Sequence, residues 1–391
     1  MAALGRPRGA IGASDGVKIG VLTDMSGIFS DNTGPGMVMA TRMAVEDFGG
    51  SVEGRPIEVI FADHQNKPDV AAAIARDWIA TQSVDVIVDA VGTAVALAVQ
   101  SLAAAKDRVL LNVGSGGSDL TGRACTPVSV QWVWDTYAVG TILGQAMVDR
   151  GAKTFFFVTA DYTYGEQMQR DATRAILAAG GQVVGRTRHP FGMTDFSSIM
   201  LEAASSKADV VVLANAGKDT INAVKSATEF RLTADGRQSL AGLIGIREIR
   251  ALGLSTAQGV VTPSFFYWDR DEETRKFADR FIKRTGFMPG ELQAGGYSAV
   301  FHYLKAVAKA GTKDARTVVR SMKSLPVSDF FAPHGTLRED GRMIHDLYLV
   351  QVKSPAESRN EWDLMRILAT YPGEKVFRPL QDGGCPLVVG G

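Results

Sequence analysis

From Val17 onward the chain alternates short, β-rich apolar runs with segments whose apolar residues recur at helical spacing, and this beat constrains the fold more than any other feature. VKIGVLTD (17–24), IEVIFAD (57–63), DVIVDA (85–90) and RVLLNVG (108–114) read as strands. Met37, Ala40, Met43, Ala44 and Phe48 mark a first helix, a second is predicted near 68–82, and a third precedes residue 108. Strands that are apolar along their whole length have both faces covered, which is the condition of a parallel sheet wrapped by helices.

The beat breaks at TGRACTPVSVQWVWDTY, where Gly, Pro and aromatic residues precede a helix from about 136 to 150. A second round then begins, with strands at TFFFVTAD (154–161), QVVGRTR, DVVVLAN, LAGLIG and GVVTPSFF (259–266), and with a helix over 164–179. Two helical patterns, 271–284 and 290–310, follow without the strand that a simple second unit would supply, so the chain is expected to return to its first half there. MIHDLYLVQV (343–352) reads as a late strand, with WDLMRILATYP (362–372) packed near it. The predicted fold class is α/β, two Rossmann-like lobes with parallel central sheets joined by a three-segment hinge. Lobe 1 is expected to take 17–130 plus 264–332 and lobe 2 to take 131–263 plus 333–375, with 376–391 as a C-terminal tail. A length of 391 residues suits two lobes of about 150–200 residues each.

Lys plus Arg and Asp plus Glu number 42 each, so no net field favours nucleic acid or an anionic membrane, and a small ligand is the expected partner. No apolar run approaches the ~20 residues of a membrane helix. Residues 1–16 lack the apolar stretch of a secretory signal and are expected to be a leader or remnant outside the folded lobes. Cys125 and Cys385 have no metal-ligand spacing. They are either two separate buried thiols or one disulfide tying the tail to the loop after the fourth strand, and the disulfide is the working expectation.

Catalytic motifs are missing from the sequence. The five histidines are scattered, Asp119 stands where a Gly-x-Gly-x-x-Gly fingerprint starting at Gly114 needs its last glycine, and Val113 stands where a Gly-x-Ser-x-Gly elbow around Ser115 needs its first. No enzyme, metal or cofactor is therefore expected. What recurs instead is small and polar residues directly after strand ends, where open α/β sheets bind ligands with loop amides and helix N-termini. Each such residue alone is equally well a turn or a cap. Together with aromatic residues near the crossings they define a candidate set: Ser26, Phe29, Gly92, Thr93, Gly114, Ser115, Gly116, Tyr137, Tyr162, Tyr164, Asn215, Arg247 and Phe265.

Four segments carry a family resemblance over roughly residues 17–372: VKIGVLTDMSGIFSDNTGPG, NVGSGGSDLT, DYTYGEQM and QAGGYSAVFHYLKAV. In this order they resemble the type I periplasmic binding proteins of branched-chain amino acid (Leu/Ile/Val-binding) ABC importers. The resemblance implies a non-enzymatic, periplasmic, monomeric receptor that closes two lobes on its ligand and delivers it to ABC permease subunits. It also implies carboxylate donors near Thr93, Gly114, Ser115 and Gly116, with Tyr164 closing from the second lobe. Amino-acid-binding members carry an acidic residue after a late second-lobe strand, and here that neighbourhood reads GLIGIRE. Ile244 and Arg247 cannot pair an ammonium, and Glu248 does so only if the register shifts. SVQWVWDTYAVG and GGCPLV resemble a subgroup associated with aromatic carboxylates, so a benzoate or cinnamate derivative is the expected ligand, and the alternatives are a branched-chain or other amino acid, or a role as the ligand-sensing domain of a receptor.

Overall fold

The computed structural model describes residues 16–233, 236 and 238–388, so the expectation for the first residues falls, but for Gly16, outside the described part. The first lobe opens with β1 (Val17–Thr23), α1 (Gly34–Asp47), β2 (Ser51–Val52), β3 (Arg55–Asp63), α2 (Pro68–Thr81), β4 (Val86–Asp89), α3 (Thr93–Ala105), β5 (Val109–Asn112) and β6 (Ser129–Gln131). Its sheet runs β2-β3-β1-β4-β5-β6 and is parallel apart from the short β2–β3 pair. β1 is buried on both faces from Ile19 to Thr23 because both are covered. At Gly20 a Cβ would lie 2.5 Å from the Trp78 ring, so only a bare backbone lets α2 pack this close.

The second lobe follows with α4 (Thr136–Asp149), β7 (Thr154–Ala160), α5 (Thr163–Ala178), β8 (Gln182–His189), α6 (Ser197–Ser205), β9 (Val210–Ala214), α7 (Lys218–Glu229), β10 (Ser239–Gly242), α8 (Ile246–Leu252), α9 (Leu254–Ala257) and β11 (Val261–Ser264). The chain then returns to pack α10 (Glu272–Thr285) and α11 (Glu291–Ala310) on α1, with α12 (Ala315–Ser324) beside α11. A hairpin of β12 (Thr336–Leu337) and β13 (Met343–Ile344) rests on α12. β14 (Leu347–Val352) and β15 (Met365–Tyr371) close the second sheet, in the order β15-β14-β11-β10-β9-β7-β8, before α13 (Gly373–Val376). The central strands of both sheets are parallel, as expected, and the second sheet adds an antiparallel edge. β14 runs antiparallel to β11 and β15 antiparallel to β14, because a chain re-entering beside its own exit strand arrives from the opposite direction.

Three crossings link the sheets, between Gln131 and Thr136, Ser264 and Glu272, and Ser324 and Leu347. Arg342, 1 % exposed, pins the first crossing to the third. Its guanidinium donates to the carbonyls of Trp132 (2.8 Å), Trp134 (2.9 Å) and Met343 (3.0 Å), and Asp135 lies 3.7 Å away. Those bonds satisfy a charge that burial would otherwise make costly.

Candidate functional site

Strand ends of both lobes meet at a cavity of about 590 Å³, counting the space open to solvent. From the first lobe come Phe29 and Asn32 in the loop after β1, Val91 to Thr93 after β4, Gly114 to Gly116 after β5, and Glu291 with Leu292 at the start of α11. From the second come Tyr162 and Tyr164 after β7, Ala216 and Gly217 after β9, and Leu243, Gly245 and Glu248 after β10, while Trp134 and Phe265 belong to two crossings.

Each wall has a local cause. The Asp24 carboxylate accepts from the N–H of Gly27 (2.7 Å) and of Phe29 (3.0 Å), which fixes the loop that carries Phe29. Gly92, with φ +95°, turns the chain into α3, whose first-turn N–H groups have no intrahelical partner, and the Thr93 hydroxyl is buried without a bond. A Cβ at Gly116 would lie 2.2 Å from the Trp134 ring, so that ring lies directly on the loop backbone. Trp134 meets Tyr164 edge to face at 5.6 Å and Phe265 at 6.3 Å, and Tyr162 stands 5.8 Å from Tyr164.

The electrostatics centre on two carboxyls from opposite lobes. A Cβ built on Gly245 would lie 3.4 Å from Glu248 Oε2 and 3.5 Å from Glu291 Oε1, so the two acids converge on one point. Glu248 Oε2 accepts from the Gly245 N–H at 2.6 Å, whereas Oε1 is buried without a hydrogen-bond partner. Burial pushes the Glu248 carboxyl up to about 7, with Glu291 adding to the rise, and burial raises Glu291 as well. The Tyr164 phenol, also buried without a partner, is raised by burial and by Glu248, so it stays a donor. Beneath the Gly114 loop, burial pushes Asp89 up to about 7. Among the described residues no Lys, Arg or His lines this cavity.

Of the candidate set, Phe29, Gly92, Thr93, Gly114, Ser115, Gly116, Tyr162, Tyr164 and Phe265 line the cavity. Four residues of the set lie outside this lining. The Ser26 hydroxyl donates to Asp63 at 2.6 Å, outside the cavity. The Tyr137 ring lies under Arg174 of α5, 3.8 Å from its guanidinium carbon, outside the cavity lining. Asn215 is buried in the second lobe, accepting from Thr220 at 2.9 Å beside His189. Arg247 turns across the cleft mouth to the Asp31 carbonyl and carboxylate and stacks 3.8 Å over Phe287. One step along α8 swings the side chain by ~100°, so Glu248 rather than Arg247 faces inward.

Ser115 lines the cavity but is occupied elsewhere. Its hydroxyl donates to the Ala90 carbonyl (3.0 Å) and its N–H to Asn112 Oδ1 (3.3 Å). Gly217 and Gly245, which also follow second-lobe strand ends, line the cavity as well, and so do Glu291 and Leu292, which the strand-end rule does not reach, since they sit on a helix of the returning chain. Among the described residues no group of His, Cys, Asp and Glu could hold a metal ion.

The sequence model of a family described as periplasmic binding protein matches residues 16–358. This chain belongs to that family. A periplasmic binding protein of Burkholderia mallei is 46% identical, with 95% of this chain and 99% of that one covered and a TM-score of 0.92. A branched chain amino acid ABC transporter periplasmic ligand-binding protein of Burkholderia xenovorans is 37% identical, with the same coverage and a TM-score of 0.87. An ABC transporter solute binding protein of Rhodopseudomonas palustris in complex with benzoate is 21% identical, with 91% of this chain and 96% of that one covered and a TM-score of 0.81, a likeness of fold alone. This binding protein thus carries the two-lobed architecture of its family, with a cavity between the lobes. Among the described residues no helix is long and apolar enough to cross a membrane.

Proposed function

We propose that this binding protein captures an α-amino acid with an apolar side chain in the interlobe cavity and delivers it to an ABC permease from the periplasm. One observation carries the reading: two carboxyls, from opposite lobes, face a cavity whose lining holds no cationic side chain among the described residues. An anion without a positive group would meet uncompensated repulsion there, and two buried carboxyls left alone cost free energy that a shared ammonium offsets. The ligand carboxylate would take the opposite end, against the Gly116 backbone, the Thr93 hydroxyl and the first turn of α3. Tyr164 would donate from the second lobe, and the rings of Phe29, Trp134, Tyr162 and Phe265 would cover the side chain. The 37% identical relative, described as belonging to a branched chain amino acid transporter, supports the same class.

The aromatic walls favour a second reading, a hydroxylated aromatic carboxylate whose ring hydroxyl donates to Glu248. Native mass spectrometry after incubation with an equimolar mixture of apolar amino acids, benzoate and 4-hydroxybenzoate separates the two. Retention of an amino acid supports the first reading, and retention of a benzoate alone overturns it.

A further inference from the structure

The C-terminal segment leaves the second sheet at Tyr371 and crosses the hinge. Gly373 packs so closely on His345 that a Cβ would lie 2.3 Å from its carbonyl oxygen, and Phe377 lies over the Arg342 guanidinium at 4.4 Å. The Arg378 carbonyl accepts from Arg338 at 2.7 Å, which fixes the backbone at that point. The Arg378 guanidinium then reaches into the first lobe and donates to the Ser118 carbonyl at 3.1 Å. Seven residues on, Cys385 is bonded to Cys125, with the Cα atoms 5.6 Å apart. Gly383 meanwhile lies against Gly122, where a Cβ would come 2.8 Å from the Gly383 carbonyl oxygen.

Ser118 belongs to the loop that continues from Gly114–Gly116, and that loop is also where the lobes touch. The Ser118 hydroxyl donates to Asp171 on α5 at 2.7 Å and accepts from Arg170 at 2.7 Å. Its N–H donates to Thr136 at 3.2 Å, and the Thr136 hydroxyl donates to the same Asp171 oxygen at 2.6 Å. The tail therefore grips the backbone of a segment whose side chain already bonds the other lobe.

We propose that the segment from Pro372 to Cys385 is a covalent strap, a fourth connection between the lobes, and that Arg378, held by the Cys125–Cys385 bond, is a positioning residue for the Gly114–Thr121 loop. Its consequence for ligand retention rests on the reading of that loop as the carboxylate cradle. The mechanical part does not, and it is testable without any ligand.

Amide hydrogen exchange, read by mass spectrometry on the full chain, compares the oxidised protein, the reduced protein, Arg378→Ala and Arg378→Lys. Exchange over 114–122 is expected to accelerate about tenfold on reduction and in Arg378→Ala, with β1 and β9 unchanged. Arg378→Lys should restore most of the protection, since an ammonium can still donate to the Ser118 carbonyl. Acceleration confined to 373–388 would mean that the strap decorates the surface and positions nothing. Reduced wild type covers the case in which Arg378→Ala fails to fold, and Cys385→Ser replaces it if the buried bond resists the reductant.

Discussion

Replacing Glu248 by glutamine should stabilise the ligand-free protein and weaken its ligand, two opposite effects from one atom pair. Glutamine keeps the oxygen that accepts from the Gly245 N–H and so retains the start of α8. Burial raises the folded-state carboxyl from its ordinary 4.5 to about 7, so folding favours the protonated form. The stability from this group is fully present below about 4.5 and is lost as pH rises through 7. Each tenfold displacement of a proton equilibrium is worth ~1.4 kcal/mol, so the penalty at pH 8 is on the order of 3 kcal/mol. Urea denaturation should therefore find Glu248→Gln more stable than wild type at pH 8 by up to about that much, with the difference vanishing near pH 4. Removing one partner of a buried charge pair costs about 2–5 kcal/mol in binding, which is roughly 30- to 4000-fold in Kd by calorimetry. Unchanged affinity for the bound amino acid, or a variant less stable than wild type at pH 8, would refute the assignment of Glu248.

Three further substitutions probe the supports of the site. Gly116→Ala places a methyl against the Trp134 ring, and the overpacking should cost about 1–3 kcal/mol of stability and push the indole into the cavity, seen as a changed tryptophan emission and weaker binding. Arg342→Met leaves three buried carbonyls without donors and Asp135 without its counter-charge, and a loss of roughly 3–5 kcal/mol is expected in chemical denaturation. Asp89→Asn removes a second carboxyl that burial holds up at about 7, so ligand-free stability should fall less steeply as pH rises from 4 towards 7 than it does in wild type.

The fold was legible because its central strands are covered on both faces and so appear as unbroken apolar runs, as at Val210–Ala214. The antiparallel edge of the second sheet was not, since direction is a property of how the chain re-enters and leaves no mark on residues 347–371. In the cavity, the strand-end rule reached residues whose backbone lines it, such as Gly92, Gly114 and Gly116, because there the loop itself forms the wall. It does not decide where side-chain direction matters. Asn215 follows β9 yet points into the lobe, and one residue of helix separates Arg247, turned to Asp31, from Glu248, which lines the cavity. Glu291 was out of reach because only tertiary packing brings the start of α11 to the strand ends.

Isothermal titration of the ligand-stripped protein with matched pairs, L-leucine against 4-methylpentanoate and L-phenylalanine against 3-phenylpropionate, tests the proposed ammonium site most directly. At least one amino acid should bind, and its partner without the amine should bind roughly 30-fold or more weakly. Equal or tighter binding of the carboxylates that lack an amine would contradict the pairing of an ammonium with Glu248 and Glu291.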